Sequence, residues 1–141
     1  MQSRILPWAC ESIRLGGNVL ELGPGYGITT EWLAGRGGRI SAVEVDPTLA
    51  DRLRAKFADR VDVRTGSATD LPFLDATFDA VVCFTMLHHL PSMRHQDQLF
   101  AEAARVLRPG GAFAGSDSTA SVPFRLLHVG DTMNVIDPRT L

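Results

Sequence analysis

Short apolar runs recur along this 141-residue chain, and between them lie segments whose apolar residues fall at helical spacing. That alternation limits the fold more than any other feature. Parallel strands need a crossover between them, and a helix packed on the sheet is the crossover that fits. Asn18-Val-Leu-Glu-Leu22 reads as a first strand, stopped by Gly23-Pro-Gly-Tyr-Gly27. Ile28 to Ala34 predicts a helix ended by Gly35 and Gly37, and Arg39-Ile-Ser-Ala-Val-Glu44 a second strand. Asp46-Pro47 then opens a helix, an N-cap acid followed by proline at the first position, with Leu49, Leu53 and Phe57 as its apolar stripe. Val61-Asp-Val-Arg-Thr65 alternates as a third strand. Phe78 to Phe84 is apolar except for Asp79, the pattern of a strand covered on both faces. Leu99, Phe100, Ala103, Val106 and Leu107 mark a helix ended by Arg108-Pro109-Gly110, and Gly111 to Gly115 reads as a fifth strand. Arg4 to Leu15 supplies one helix ahead of the first strand. The expected class is α/β, a three-layer sandwich with a mainly parallel sheet between helices.

Bulk properties narrow the function classes. Hydrophobic residues make up 45% of the chain and charged residues 21%, which suits one domain over residues 1–141 with a real core. A net charge of −2 gives no reason to expect nucleic acid, whose partners cluster positive charge. The basic run from Arg52 to Lys56, beside Asp51, reads as a solvated helix face. Cys10 and Cys83 are too few and too far apart for a disulfide framework or a zinc site, and Cys83 sits in an apolar run as a buried thiol. Met1 to Cys10 has no apolar signal core, and nothing approaches the roughly 18 apolar residues of a membrane span. A cytoplasmic protein without membrane contact is expected.

The glycine turn after strand one carries the functional signal. Such a turn lets a ligand approach the backbone at a helix N-terminus, on the carboxyl edge of the sheet. A dinucleotide fingerprint needs Gly-x-Gly-x-x-Gly, but here the third glycine, Gly27, comes one residue early and Ile28 holds the required place. No Gly-Lys-Ser/Thr follows, so a P-loop is absent as well. Glu44 ends strand two, 17 residues after Gly27, where a carboxylate can accept both hydroxyls of a ribose diol. Asp46, directly before Pro47, is the better helix cap. Loop and acid together point to a nucleoside without a diphosphate.

At this point the chain resembles the class I S-adenosylmethionine-dependent methyltransferases, in a form like the type 11 methyltransferase domain. Glu21-Leu-Gly-Pro-Gly-Tyr-Gly27 is similar to the family's first motif. The likeness continues through Ala42-Val-Glu-Val-Asp-Pro47, Gly66-Ser-Ala-Thr-Asp-Leu-Pro-Phe73, Phe78 to Leu90 and Ala104-Arg-Val-Leu-Arg-Pro-Gly-Gly-Ala-Phe113, covering core motifs over residues 18–117. The resemblance implies a Rossmann-like sheet of order 3-2-1-4-5 and S-adenosyl-L-methionine as cofactor. It also implies site roles. Gly23 and Gly25 would admit the methionine portion, and Glu21 would help to receive its ammonium. Glu44 would hold the ribose and Val45 would lie on one adenine face. Ser67 and Ala68 would read the adenine edge, although the family usually has aspartate where Ser67 stands. Phe84 would border the methyl-transfer pocket.

Methyl transfer draws much of its acceleration from proximity, so no acid–base dyad is obligatory. His88 and His89 could act as bases, but they read first as the ordinary start of the segment after strand four; His95, His128, Asp117 and Asp131 are weaker candidates. No catalytic residue is assigned. Cys83-Phe-Thr-Met86 stands where the family's adenine and glutamine methylases carry Asn/Asp-Pro-Pro-Tyr/Phe, which leaves a small molecule as the expected acceptor. The family adds two strands after strand five, an antiparallel edge. Residues 118–141 do not read as those strands, and Asp137-Pro138 opens a helix near the end of the sequence. The expectation is a C-terminally shortened domain whose edge calls for a second copy or another chain. A non-catalytic cofactor-binding or interaction module is the alternative to an enzyme.

Overall fold

The computed structural model describes residues 6–117 apart from 8 and 12. Five strands are present among them: β1 (Asn18–Leu22), β2 (Arg39–Glu44), β3 (Val61–Thr65), β4 (Phe78–Phe84) and β5 (Leu107–Ser116). Helices α1 (Ile28–Ala34), α2 (Pro47–Phe57) and α3 (Met93–Val106) connect or flank them, and Leu6, Pro7 and Ala9 ahead of β1 are also helical. The strands form one sheet of order β3-β2-β1-β4-β5, and all four pairings are parallel. The Rossmann-like α/β class and strand order expected from the sequence are therefore both present. The expected shortening after strand five concerns residues 118–141, which, with the Asp137-Pro138 signal, His128 and Asp131, fall outside the described residues.

Alternation along each strand splits the core in two. Val19, Ala42, Val63, Ala80 and Val82 face one side, where they pack with Leu33 of α1 and with Ala50, Leu53 and Phe57 of α2. Leu20, Leu22, Val43, Val81 and Cys83 face the other side, against Leu99, Ala103 and Val106 of α3. Strands buried on both faces need the near-continuous apolar runs that the sequence supplies. Asp46 caps α2 as expected, its side chain accepting from Thr48 N at 2.7 Å and Leu49 N at 3.2 Å. The buried stripe of α2 is Ala50, Leu53 and Phe57, with Leu49 only half-buried. Arg54 is not merely solvated: its guanidinium donates to Val63 O at 3.0 Å and Thr65 Oγ1 at 2.8 Å, fastening α2 to the outer strand β3.

Two sequence expectations need correction. Leu107 belongs to β5 and not to the helical stripe, and β5 begins there instead of at Gly111. α3 ends at Val106, Leu107 is extended (φ −72°, ψ 137°), and it pairs with Phe78. Pro109 disfavours helix at Arg108, and the register shifts between Phe78 and Ala80, which takes up the stretch around Gly110. Leu107 packs against the same core cluster as α3, so its apolar side chain could not reveal the change of element. Before β1, residues 13–17 contain no helix, so the helix expected through Leu15 stops earlier.

Gly27, the residue that breaks the dinucleotide fingerprint, has a packing role. It is the N-cap of α1 with φ +78°, and a Cβ there would lie 2.6 Å from Leu53 Cδ2 and 2.9 Å from Phe57 Cε2. Its bareness lets α1 close onto α2. Gly27→Ala is expected to cost about 3 kcal/mol, combining left-handed backbone strain with overpacking, as read by urea unfolding.

Candidate functional site at the carboxyl edge of the sheet

All five strands point the same way, so their C-terminal ends gather on one edge, and the strand order reverses between β1 and β4. Ligands of open α/β sheets bind at such a switch point. The glycine turn, Val45, Ser67 and the segment after Phe84 all emerge there.

The turn after β1 is shaped by three left-handed glycines: Gly23 at φ +64°, Gly25 at +55° and Gly27 at +78°. Their surroundings differ. A Cβ on Gly23 would meet Met86 Cγ at 2.4 Å, so Gly23 makes room for the segment after β4. A Cβ on Gly25 would meet nothing within 4 Å, so its bare face opens onto free space. Tyr26, next in the turn, and Val45, next after Glu44, are 75% and 71% exposed. Apolar surface left in water beside a glycine cradle suits a flat, partly apolar ligand.

Glu44 is buried at the end of β2, and its carboxylate joins the two loops. Oε2 accepts from Gly25 N at 3.0 Å and Oε1 from Asp46 N at 3.1 Å. Each oxygen has a second lone-pair direction, so the group retains acceptor capacity for a diol. Glu21, on the same face of the sheet, is fully buried and accepts from Thr30 Oγ1 of α1 at 2.7 Å. Burial pushes its carboxyl from the ordinary 4.5 up to about 7; the Thr30 hydroxyl opposes this and the nearby Glu44 charge adds to it.

The remaining expected residues occupy the rim. Ser67 opens a turn: Thr69 N donates to its Oγ at 3.1 Å and the two hydroxyls lie 2.7 Å apart. Ala68 is buried against the core on the α3 side, and Phe84 is half-buried against the opposite cluster. Thr85 follows with φ +52°, held by its N–H to Ser116 O at 2.8 Å. Such strain at a strand end is common where a chain is fixed for binding.

His88 is buried, and its Nδ1 lies 2.5 Å from Asp117 Oδ1, while Asp117 Oδ2 accepts from His88 N at 3.2 Å. The pair ties the segment after β4 to the end of β5. His89 is exposed, with its ring 4.1 Å from that of His88. His95 is engaged at the N-cap of α3, with Nδ1 2.7 Å from Ser92 Oγ. Burial drives the Cys83 thiol upward, and among the described residues no cluster suited to a metal ion occurs. Sequence reasoning missed Thr30 as the partner of Glu21, the His88–Asp117 pairing, and the engagement of Glu102 and Arg105 with the loop that carries Ser67. Helical spacing from the glycine turn is the signal that could have found Thr30.

Residues 20–115 match the methyltransferase domain family, and the chain belongs to that family. A probable S-adenosylmethionine-dependent methyltransferase of Mycolicibacterium smegmatis is 39% identical over 98 residues, 70% of this chain and 37% of that relative. The chain thus spans well under two thirds of the relative's length. A solved protein of Pyrococcus horikoshii superposes with a TM-score of 0.79 at 24% identity, over 91% of this chain and 57% of the other, and shares the fold. The 1,6-didemethyltoxoflavin N1-methyltransferase of Burkholderia thailandensis, solved with 1,6-didemethyltoxoflavin and S-adenosylhomocysteine bound, matches at TM-score 0.63 and 27% identity, over 74% of this chain and 46% of the other.

Glu21 makes the protein's stability depend on pH. Its folded-state value is raised, so the stability it contributes is complete below the unfolded carboxyl's value and is lost as pH rises through about 7. Glu21→Gln, which keeps the shape and the Thr30 contact, should remove that loss. The unfolding free energy of the variant relative to wild type is expected to rise by about 3 kcal/mol between pH 4.5 and 7.5 in urea titrations.

Proposed function

We propose that residues 1–141 form one domain, the cofactor-binding unit of an S-adenosylmethionine-dependent methyltransferase that acts on a small-molecule acceptor. The observation that carries this reading is Gly25: its left-handed backbone faces open space while its N–H is bonded to the buried Glu44 carboxylate. A cradle and a diol acceptor therefore stand side by side, as a nucleoside bearing an amino-acid tail requires.

In this reading Gly23 and Gly25 let backbone lie along the methionine portion, and Glu21 takes up its ammonium. Glu44 accepts the ribose hydroxyls, exposed Val45 covers one adenine face, Ser67 and Ala68 read the adenine edge, and Phe84 borders the reacting end. The bound cofactor supplies an electrophilic sulfonium methyl carbon. The chain supplies orientation, which suffices for much of the acceleration of an in-line transfer. Glu21 suits an ammonium because a cation beside a carboxyl held near neutrality draws its proton off.

A small acceptor is supported by the net charge of −2 and by Cys83-Phe-Thr-Met86 at the position where base and glutamine methylases carry their tetrapeptide. The small molecule bound to the Burkholderia neighbour points the same way. No nucleic-acid partner belongs to this reading. No helix among the described residues is long and apolar enough to cross a membrane, and Cys10 and Cys83 are free thiols, in keeping with a reducing cytoplasm.

Calorimetric titration with S-adenosylmethionine and S-adenosylhomocysteine tests the reading directly. Saturable one-to-one binding is expected, and a folded protein that binds neither would overturn it. Glu44→Ala should weaken both ligands more than tenfold, the ~1.4 kcal/mol scale of a lost charge-assisted hydrogen bond. Unchanged affinity in that variant removes Glu44 from the ribose.

A further inference from the structure

The crossover from β3 to β4, residues 66–77, contains no helix. Its backbone groups therefore lack the intrahelical partners that a helical crossover would provide, and they must be satisfied otherwise. Two side chains of α3, one turn apart, do much of this. Glu102 Oε2 accepts from Leu71 N at 2.7 Å. Arg105 donates to Leu71 O at 3.1 Å, to Phe73 O at 2.8 Å and to Asp75 Oδ1 at 2.9 Å. The two are also joined to each other by a fork, Nε to Oε1 and Nη2 to Oε2, both at 2.7 Å.

This is not an ordinary surface ion pair. The Arg105 side chain is 32% exposed and that of Glu102 19%, and the guanidinium holds the Glu102 carboxyl below its usual range. The backbone of α3 continues the attachment, Ala76 N donating to Arg105 O at 3.0 Å and Thr77 N to Val106 O at 2.8 Å. At the other end of the crossover, Gly66 N donates to Glu44 O at 3.0 Å and Ser67 pairs with Asp70. Ser67 and Ala68 thus stand between two fixed points, the end of β2 and the Glu102–Arg105 fork. Their position at the carboxyl edge depends on both.

We propose that Glu102 and Arg105 are positioning residues for nucleobase recognition: by holding Leu71 and Phe73 they fix where Ser67 and Ala68 meet the adenine edge. The inference rests on the reading of Ser67 and Ala68 given above. Lysine at position 105 would keep the charge but lose the planar fork, so it could not serve the carboxylate and both carbonyls together.

The test compares the full wild-type chain with Arg105→Lys and Glu102→Gln in calorimetric titrations. The two probes are S-adenosylhomocysteine and S-inosylhomocysteine, in which oxygen replaces the adenine amino group. Wild type is expected to prefer the adenine ligand by about tenfold or more, the scale of one well-placed hydrogen bond. Each variant should lose most of that preference, with adenine affinity falling about tenfold and inosine affinity changing about twofold or less. Equal weakening of both ligands would overturn the proposal, because a merely structural role costs both alike. Variants with undiminished preference would also overturn it, leaving the adenine reading intact. A wild type that binds both ligands equally would overturn the adenine reading and this inference with it. Glu102→Gln, nearly isosteric, keeps the comparison decisive if Arg105→Lys does not fold.

Discussion

β1 and β4 lie at the centre of the sheet, and covering both of their faces sets the rest of the structure. Val19, Leu20, Leu22, Val81 and Val82 leave essentially nothing to solvent. Burial on that scale offsets much of the entropy lost on folding, but it leaves the middle of the sheet unable to accept polar groups. Polar chemistry is driven to the strand ends. Ser41 in the middle of β2 and Glu21 in β1 are exceptions, and the structure answers Glu21 with the Thr30 hydroxyl and a carboxyl raised toward neutrality. Because every strand is parallel, the ends that can carry function collect on one edge.

How far this was legible in the sequence depended on whether a residue's role was local. β1, β2 and β4 read correctly from apolar runs, since burial on two faces leaves a mark in composition, and edge strand β3 from its alternation. Asp46 read correctly as a cap because its partners are two and three residues away. Leu107 misled because it serves the same core from a strand as it would have from the helix. Gly27 was read only by what it spoiled, while its reason, contact with Leu53 and Phe57, lies across two helices. Glu102 and Arg105 were invisible for the same kind of reason. A Glu and an Arg three apart on a helix read as a solvated pair, and their partners Leu71 and Phe73 are 31 to 34 residues away.

The two buried acids show how one edge can hold groups of different character. Glu44 receives two backbone N–H donors, from Gly25 and Asp46, and both belong to loops that the fold already fixes. Glu21 receives one hydroxyl, is cut off from water and lies near the Glu44 charge, so its neutral form is favoured up to about pH 7. Backbone donors substitute for water around one carboxylate, and a proton does so for the other. A ligand that brought a cation to Glu21 and a diol to Glu44 would meet a different unmet demand at each position. That ordering runs from the methionine end of the proposed cofactor toward its sugar.

Beyond the sugar, the edge is built on another plan. The methionine and ribose positions of the proposed cofactor site rest on residues within or next to β1 and β2, where glycine geometry and strand pairing set the backbone. The Ser67–Ala68 position rests on a crossover without a helix, so long side chains of α3 must do what main-chain bonds do elsewhere. An Arg–Glu fork is stiff and directional, which suits it to that work. Yet it is a side-chain device, open to single substitutions that leave the sheet untouched. If the proposed base contacts hold, the hold on the base can be adjusted from α3 by single substitutions while the glycine turn, Glu21 and Glu44 stay as they are.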